Sequence, residues 1–183
     1  MKLLARILNK LRTSIYSYKF NIGVKCSLGK VRFWDCDKKS IYIGNNVSIL
    51  RGTELCAKSD RPIRIGDNTF INQRCILRPN VNIGKNVSIG PNVMLMTDSH
   101  LLGPSKKRAG QSTYKKIKIG DGCWIGAGSI ILGGVSIGNG TVIAAGSVVT
   151  KDCDENSLWG GETAKKIKQL EYDGKDFGYH LKY

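Results

Sequence analysis

The sequence predicts an all-β chain wound into a parallel β-helix, on three observations. An aliphatic residue recurs every six positions, a small or β-branched residue follows four positions after it, and glycine often sits directly behind it. The 183-residue chain has 22 Gly but only 4 Pro. That balance suits many tight turns within regular structure, because glycine accepts positive φ without strain.

The aliphatic anchors run Ile65, Ile71, Leu77, Ile83, Ile89, Leu95, and again Ile119, Ile125, Ile131, Ile137, Ile143, Val149; Ile43, Ile49 and Leu55 precede them in step. The small positions are Thr69, Cys75, Val81, Val87, Val93 and Ser99, then Cys123, Ser129, Val135, Thr141, Ser147 and Cys153. A period of six is neither helical nor a simple alternation. It fits a triangular prism with one hexad on each flat side, the anchor pointing inward and the small residue near the corner. Three hexads close a coil, and coils stack at about 4.8 Å. The core is then continuous although no coil has one of its own.

The period breaks twice. Between Leu55 and Ile65 it slips through Lys58, Ser59, Asp60, Arg61 and Pro62, which reads as a small bulging loop. After His100, residues 101–118 lose the anchors until Ile117 and Ile119 and read as a long basic loop thrown out of the coil. Such a loop on a rigid scaffold is a common place for function.

The ends differ from the middle. Leu3, Leu4, Ile7, Leu8, Leu11 and Ile15 share one helical face, with Lys2, Arg6, Lys10, Arg12 and Lys19 around them and no acid among the first twenty residues. Residues 1–20 are thus expected to form a basic amphipathic helix. It either caps the open end of the prism or lies on an anionic membrane surface. Residues 21–163 form the β-helix, and 164–183 a charged tail, read as a short helix or irregular cover.

The formal net charge of +15 favours anionic partners: a nucleotide cofactor, a phosphorylated lipid, a membrane surface or nucleic acid. No nucleic-acid recognition motif accompanies it, so nucleic acid is set aside. The six Cys form no C-x-x-C pair and those at the fourth step read as small core fillers. With no cleavable export signal evident, reduced thiols in a cytoplasm are expected. No apolar run approaches the roughly 20 residues that span a bilayer. His100 and His180 are the only histidines, too few for a three-His metal site, so no metal is expected.

Over residues 41 to 168 the hexads resemble the hexapeptide acyltransferase family. The resemblance implies coils that are left-handed, against the usual crossover rule. It also implies a homotrimer with each site between adjacent prisms, and acetyl-CoA as donor. The segment Met96-Thr97-Asp98-Ser99-His100 is similar to the family's active-site segment. His100 would be the general base, since a sugar hydroxyl is a poor nucleophile at neutral pH and an imidazole can take its proton. Asp98 would orient that imidazole, or else be a turn residue. Asn72, in Ile71-Asn72-Gln73-Arg74-Cys75, resembles an acceptor-binding Asn of sugar acetyltransferases, and is also an ordinary corner residue.

The stretch Gly122-Cys123-Trp124-Ile125-Gly126-Ala127-Gly128 is similar to the family's W-I-G segment. By that likeness Trp124 lines the site with Asn72, and Ala127 offers a backbone N–H to the thioester. Ala145 matches a backbone contact to pantetheine, and Thr150 and Lys151 match a phosphate-proximal T-K pair. The end of the repeat departs from the family: Thr163 stands where a Pro is usual, while Lys165, Lys166 and Lys168 still offer charge to the CoA phosphates. His180, outside the repeat, is given no role.

The implied activity is O-acetyl transfer to a sugar of a surface polysaccharide, O-antigen or capsule, or of its precursor. The basic N-terminus and loop lean towards an anionic or membrane-proximal acceptor at the inner face of a membrane. N-acetylation of an amino sugar or sugar nucleotide, and a non-catalytic scaffold or binding module, stand as alternatives.

Overall fold

The computed structural model describes residues 2–171. One helix, α1 (Lys2–Ser17), precedes three parallel ladders that form the faces of a prism, the first and third of six strands and the second of seven. The first face stacks Asn21–Ile22, Ile41–Ile43, Ile63–Ile65, Val81–Ile83, Ile117–Ile119 and Ser136–Ile137. The second stacks Ser27–Leu28, Ser48–Ile49, Phe70–Ile71, Ser88–Ile89, Trp124–Ile125, Val142–Ile143 and Ser157–Gly160. The third stacks Arg32–Trp34, Glu54–Cys56, Ile76–Leu77, Met94–Met96, Ile130–Leu132 and Val148–Val149. The hexad register holds across coils: Leu95 lies between Leu77 and Ile131, and Val81 between Ile63 and Ile117.

The anchors Ile49, Ile71, Leu77, Leu95, Ile125 and Ile131 are wholly buried, as the repeat predicts. The small fourth-step residues do more than fit the corner. Thr69 Oγ1 donates to Gly84 O at 3.0 Å, Cys75 Sγ to Gly90 O at 3.2 Å, Cys123 Sγ to Gly138 O at 3.0 Å and Ser129 Oγ to Ala144 O at 3.0 Å. Each acceptor is the carbonyl just behind the next coil's anchor. A hydroxyl or thiol there ties two coils together and satisfies a corner carbonyl.

The glycine behind the anchor has an equally local cause. A Cβ on Gly66 would stand 2.6 Å from the carbonyl of Gly84 in the next coil. At the corner between the first and second faces the chain then turns through one left-handed residue in each of these coils, supplied by Asn46 (φ 55°), Asn68 (φ 57°) and Asn86 (φ 55°). Asn tolerates that region better than most residues.

Both interruptions leave at the corner between the third and first faces. The short one is a turn closed by a bridge between Lys58 and Arg61. The long one is not an irregular loop but an antiparallel hairpin, Asp98–Leu102 against Ala109–Tyr114. It begins at Asp98, ahead of the expected boundary, and Ile117 is already back in the first face. Ser99, expected inward at the fourth step, is therefore exposed on the hairpin. Anchor periodicity reports only residues facing the prism interior, so a ribbon outside it leaves no period-six signal.

The ends are closed differently. Lys165–Gln169 pairs antiparallel with Ser157–Gly160. The start of the tail is thus an edge strand rather than a helix or irregular cover. It satisfies the hydrogen-bonding edge of Ser157–Gly160, and its lysines guard the new edge. The remainder of the tail, with His180, lies outside the described residues.

At the other end α1 packs on the first coil. Leu28 N donates to Thr13 Oγ1 at 2.9 Å, and Tyr16 donates its hydroxyl proton to Val31 O at 3.2 Å while meeting Phe33 edge-on at 4.8 Å. One side of the helix thus packs on the first coil, while Leu4, Ile7, Leu8, Leu11 and Ile15 remain exposed.

Candidate active site

The hairpin is seated on the prism by two arginines. Arg78 grips Asp98 with both ends, Nε to Oδ1 at 3.0 Å and Nη2 to Oδ2 at 2.7 Å, and its guanidinium lies 4.7 Å from the Trp34 ring centroid. Arg61 stacks 4.1 Å from the ring of Tyr114, the residue paired with Asp98 across the hairpin. Thr97 adds a hydrogen bond from Oγ1 to Pro79 O. The Arg78 guanidinium holds the Asp98 carboxyl below the usual carboxylate range.

His100 sits on this seated strand. Its Nδ1 lies 2.9 Å from Gly110 O on the opposite strand. A carbonyl can only accept, so Nδ1 is the donor in this contact, and in the neutral ring the lone pair falls to Nε2. The imidazole lines a cavity of about 260 Å³ with Thr97, Ser99, Lys115, Leu132 and Gly133. That arrangement suits a group that removes a proton from a bound hydroxyl.

Asp98 does not orient this imidazole as expected. Both its oxygens are on Arg78, and the orienting acceptor is Gly110 O. Gly110 and Arg78 were not legible as site residues. A backbone carbonyl has no sequence signature, and Arg78 looks like any exposed residue behind an anchor. Asn72 is also not brought to His100. It sits on the corner between the second and third faces, where its Oδ1 accepts from Gln73 N at 2.8 Å and its carbonyl from Thr53 Oγ1 at 3.0 Å.

The remaining predicted residues divide between positions. Thr150 and Lys151 follow the last third-face strand, on the same corner as the hairpin and exposed. Ala127 and Ala145 occupy successive coils of the corner between the second and third faces, also exposed. Ala127 O accepts from Gly146 N at 2.8 Å, but among the described residues neither Ala127 N–H nor Ala145 N–H donates a hydrogen bond. Contact of Gly126 with the next coil leaves no room for a side chain: a Cβ would meet Ala145 N at 2.4 Å. The result is a smooth corner with two unpaired donors. Trp124 projects from the second face, 47% exposed, and Lys165 and Lys168 lie exposed on the terminal strand.

Between the donor corner and the hairpin corner, the third face turns Ile76, Met94, Met96, Ile130, Leu132 and Val148 outward, all part-exposed or exposed. The corresponding outward residues of the first face are Tyr42, Arg64, Asn82, Lys118 and Ser136. One chain therefore presents an apolar strip flanked by free amides on one side and a poised histidine on the other. Among the described residues, no three of His, Cys, Asp and Glu come together as metal ligands would, and no helix is long and apolar enough to cross a membrane.

Comparison with known proteins places this geometry. Residues 62–103 and 116–151 match the family model for the bacterial transferase hexapeptide (six repeats). The maltose O-acetyltransferase of Clostridium difficile 630 is 31% identical, with a TM-score of 0.65 over 93% of this chain and 84% of that one. The hexapeptide-repeat acetyltransferase of Vibrio cholerae O1 biovar eltor, solved in complex with acetyl coenzyme A, is 29% identical, with a TM-score of 0.65 over 89% and 78% of the two chains. The galactoside O-acetyltransferase of Escherichia coli K12 is 35% identical over 122 residues, 66% of this chain and 59% of that protein. The chain spans less than two thirds of the length of the curated relatives it matches. The chain belongs to the hexapeptide-repeat acetyltransferase family, and its prism is that family's left-handed parallel β-helix.

Proposed function

We propose that the chain is an acetyl-CoA-dependent O-acetyltransferase acting on a sugar hydroxyl of a surface polysaccharide or its precursor, in the cytoplasm beside the inner face of a membrane. The observation that carries this reading is the contact of His100 Nδ1 with Gly110 O at 2.9 Å in a ring that lines the cavity, which assigns the lone pair of the neutral imidazole to Nε2. Nε2 takes the acceptor hydroxyl proton as the oxygen attacks the thioester carbonyl. The C–S bond then breaks, and the imidazolium returns the proton to the departing CoA sulfur. The unpaired N–H groups of Ala127 and Ala145 suit the amides and carbonyls of a pantetheine arm. Thr150, Lys151, Lys165 and Lys168 supply exposed hydroxyl and charge for phosphates.

The predicted residues do not converge within one chain, which supports a homotrimer whose sites lie between copies. The apolar strip of the third face is the surface such a neighbour would cover. Asp98 acts as a positioning residue, through Arg78, rather than on the proton itself.

The test is turnover of acetyl-CoA with a panel of sugar and glycan acceptors. His100→Ala should slow the chemical step by about 10²–10⁴-fold while CoA binding persists. An unchanged rate removes His100 from the mechanism, and absence of both turnover and CoA binding overturns the enzyme reading.

A further inference from the structure

Helix α1 has two faces with separate occupants. Asn9, Thr13 and Tyr16 turn to the prism and are half-buried, while Arg12 stands at the edge of the helix where it borders the groove described next. On the opposite side Leu4, Ile7, Leu8, Leu11 and Ile15 follow the i, i+3, i+4 spacing of one stripe. Leu4 is 62%, Leu11 57% and Ile15 64% exposed. Tyr18, immediately beyond the helix, is 90% exposed. The cap therefore uses the polar side, and the apolar side is left for something else.

The surroundings of that stripe are cationic throughout. No acidic residue precedes Asp35 in the sequence. Beside the helix, on the corner between the second and third faces, a groove of about 490 Å³ is lined by Leu8, Arg12, Lys30, Arg51 and Gln73. It continues into one of about 580 Å³ that adds Arg32, Glu54 and Arg74. Glu54 is paired with Arg32 at 3.2 Å. Among the described residues, Lys30, Arg51 and Arg74 meet no carboxylate within salt-bridge distance.

We propose that α1 and this groove form a docking surface for an anionic lipid bilayer, with the leucine and isoleucine stripe in the headgroup boundary and Arg12, Lys30 and Arg51 against lipid phosphates. An apolar stripe bordered by basic residues, with a tyrosine at its end, has the chemistry of an interfacial helix. Its 16 residues, about 24 Å long, lie along such a surface rather than through it. A second copy of the chain is the competing occupant. A second stripe packed here would set its own Arg12, Lys30 and Arg51 beside an already cationic rim, whereas an anionic surface complements it.

The geometry has a use, which rests on the His100 reading. The hairpin leaves after the fourth coil, three steps of about 4.8 Å from the first. A docked N-terminal end holds the cavity roughly 15 Å above the first coil's level, within reach of a glycan still attached to a lipid carrier.

The experiment is co-flotation of the full chain with vesicles of phosphatidylcholine alone and of phosphatidylcholine with one quarter phosphatidylglycerol. Binding should favour the anionic vesicles by at least about tenfold and weaken with salt. Leu8→Glu with Leu11→Glu should abolish it, and Lys30→Glu with Arg51→Glu should remove the anionic preference. Circular dichroism and molecular mass are followed for each variant. Equal binding to both vesicle types, or binding untouched by either pair, overturns the proposal. So does a change of oligomeric state in the leucine pair without any vesicle binding by the parent, which would assign the stripe to a second copy. Acetyl transfer to soluble sugars, measured in parallel, separates this result from the fate of the enzyme reading: loss of docking with intact turnover touches only the first, and docking without turnover only the second.

Discussion

At the residue scale, the fourth step of a hexad is a chemical position as well as a small one wherever it carries a hydroxyl or thiol. Burial pushes the thiols of Cys75 and Cys123 up to about 11 and that of Cys153 up to about 12, so none is a nucleophile near neutrality. Cys75 and Cys123 donate like the hydroxyls of Thr69 and Ser129, coil to coil, whereas Cys153 reaches only Lys151 O, two residues back, at 3.7 Å. Thr69→Val and Cys75→Ala should each cost about 1 kcal/mol in urea unfolding, whereas Cys75→Ser should stay close to the parent. Equal stability of all three would reduce the position to one of size alone. The smallness of these residues was visible in the sequence, since the inward alternation selects it. Their hydrogen bonds were not, because the acceptor belongs to another coil.

At the element scale, the hairpin is a separate piece of structure held by a few polar contacts. Its position after His100 could be read from the loss of anchors, but its two strands could not, and neither could the Arg78–Asp98 clamp. Arg78→Ala should lower kcat by about tenfold or more, through misplacement of the base, while the thermal midpoint moves little because the prism core is untouched. A matching fall in stability would make the clamp a part of the fold instead. The pH sign follows from the lowered Asp98 pKa, whose main cause is the hydrogen bonds from Arg78. A depressed carboxyl contributes fully above its unfolded value near 3.9, and the contribution is lost as pH falls through the lower folded value. The clamp should therefore hold throughout the neutral range and release only in acid below about pH 4.

At the scale of the whole molecule, the prism was the most legible feature, because one period recurs over twelve hexads and each anchor reinforces the same register. The assembled site was the least legible. Ala127 and Ala145 lie on one corner and His100 on another, and the proposed trimer that would join them rests on a symmetry operation with no signature in one chain's sequence. In solution the chain should run at three times its 20.1 kDa mass by light scattering. Met94→Glu with Leu132→Glu, on the apolar strip, should leave it monomeric and inactive. A monomeric, active parent would place the complete site within one chain.

The hairpin also divides the chain in time. Most stacking partners stand 18 to 22 residues apart, as in the corner bonds of Asp121 to Asn139 and of Asn45 to Asp67. Across the hairpin the step is 36, from Lys85 to Asp121. Doubling the loop to be closed costs roughly 0.6 kcal/mol more in chain entropy, before any pairing of the hairpin itself. Coils that otherwise add one after another by short steps meet a single longer one between Met96 and Ile117. The segment that carries the histidine thus also sets the 36-residue closure between stacked coils, against 18 to 22 at the neighbouring corner bonds.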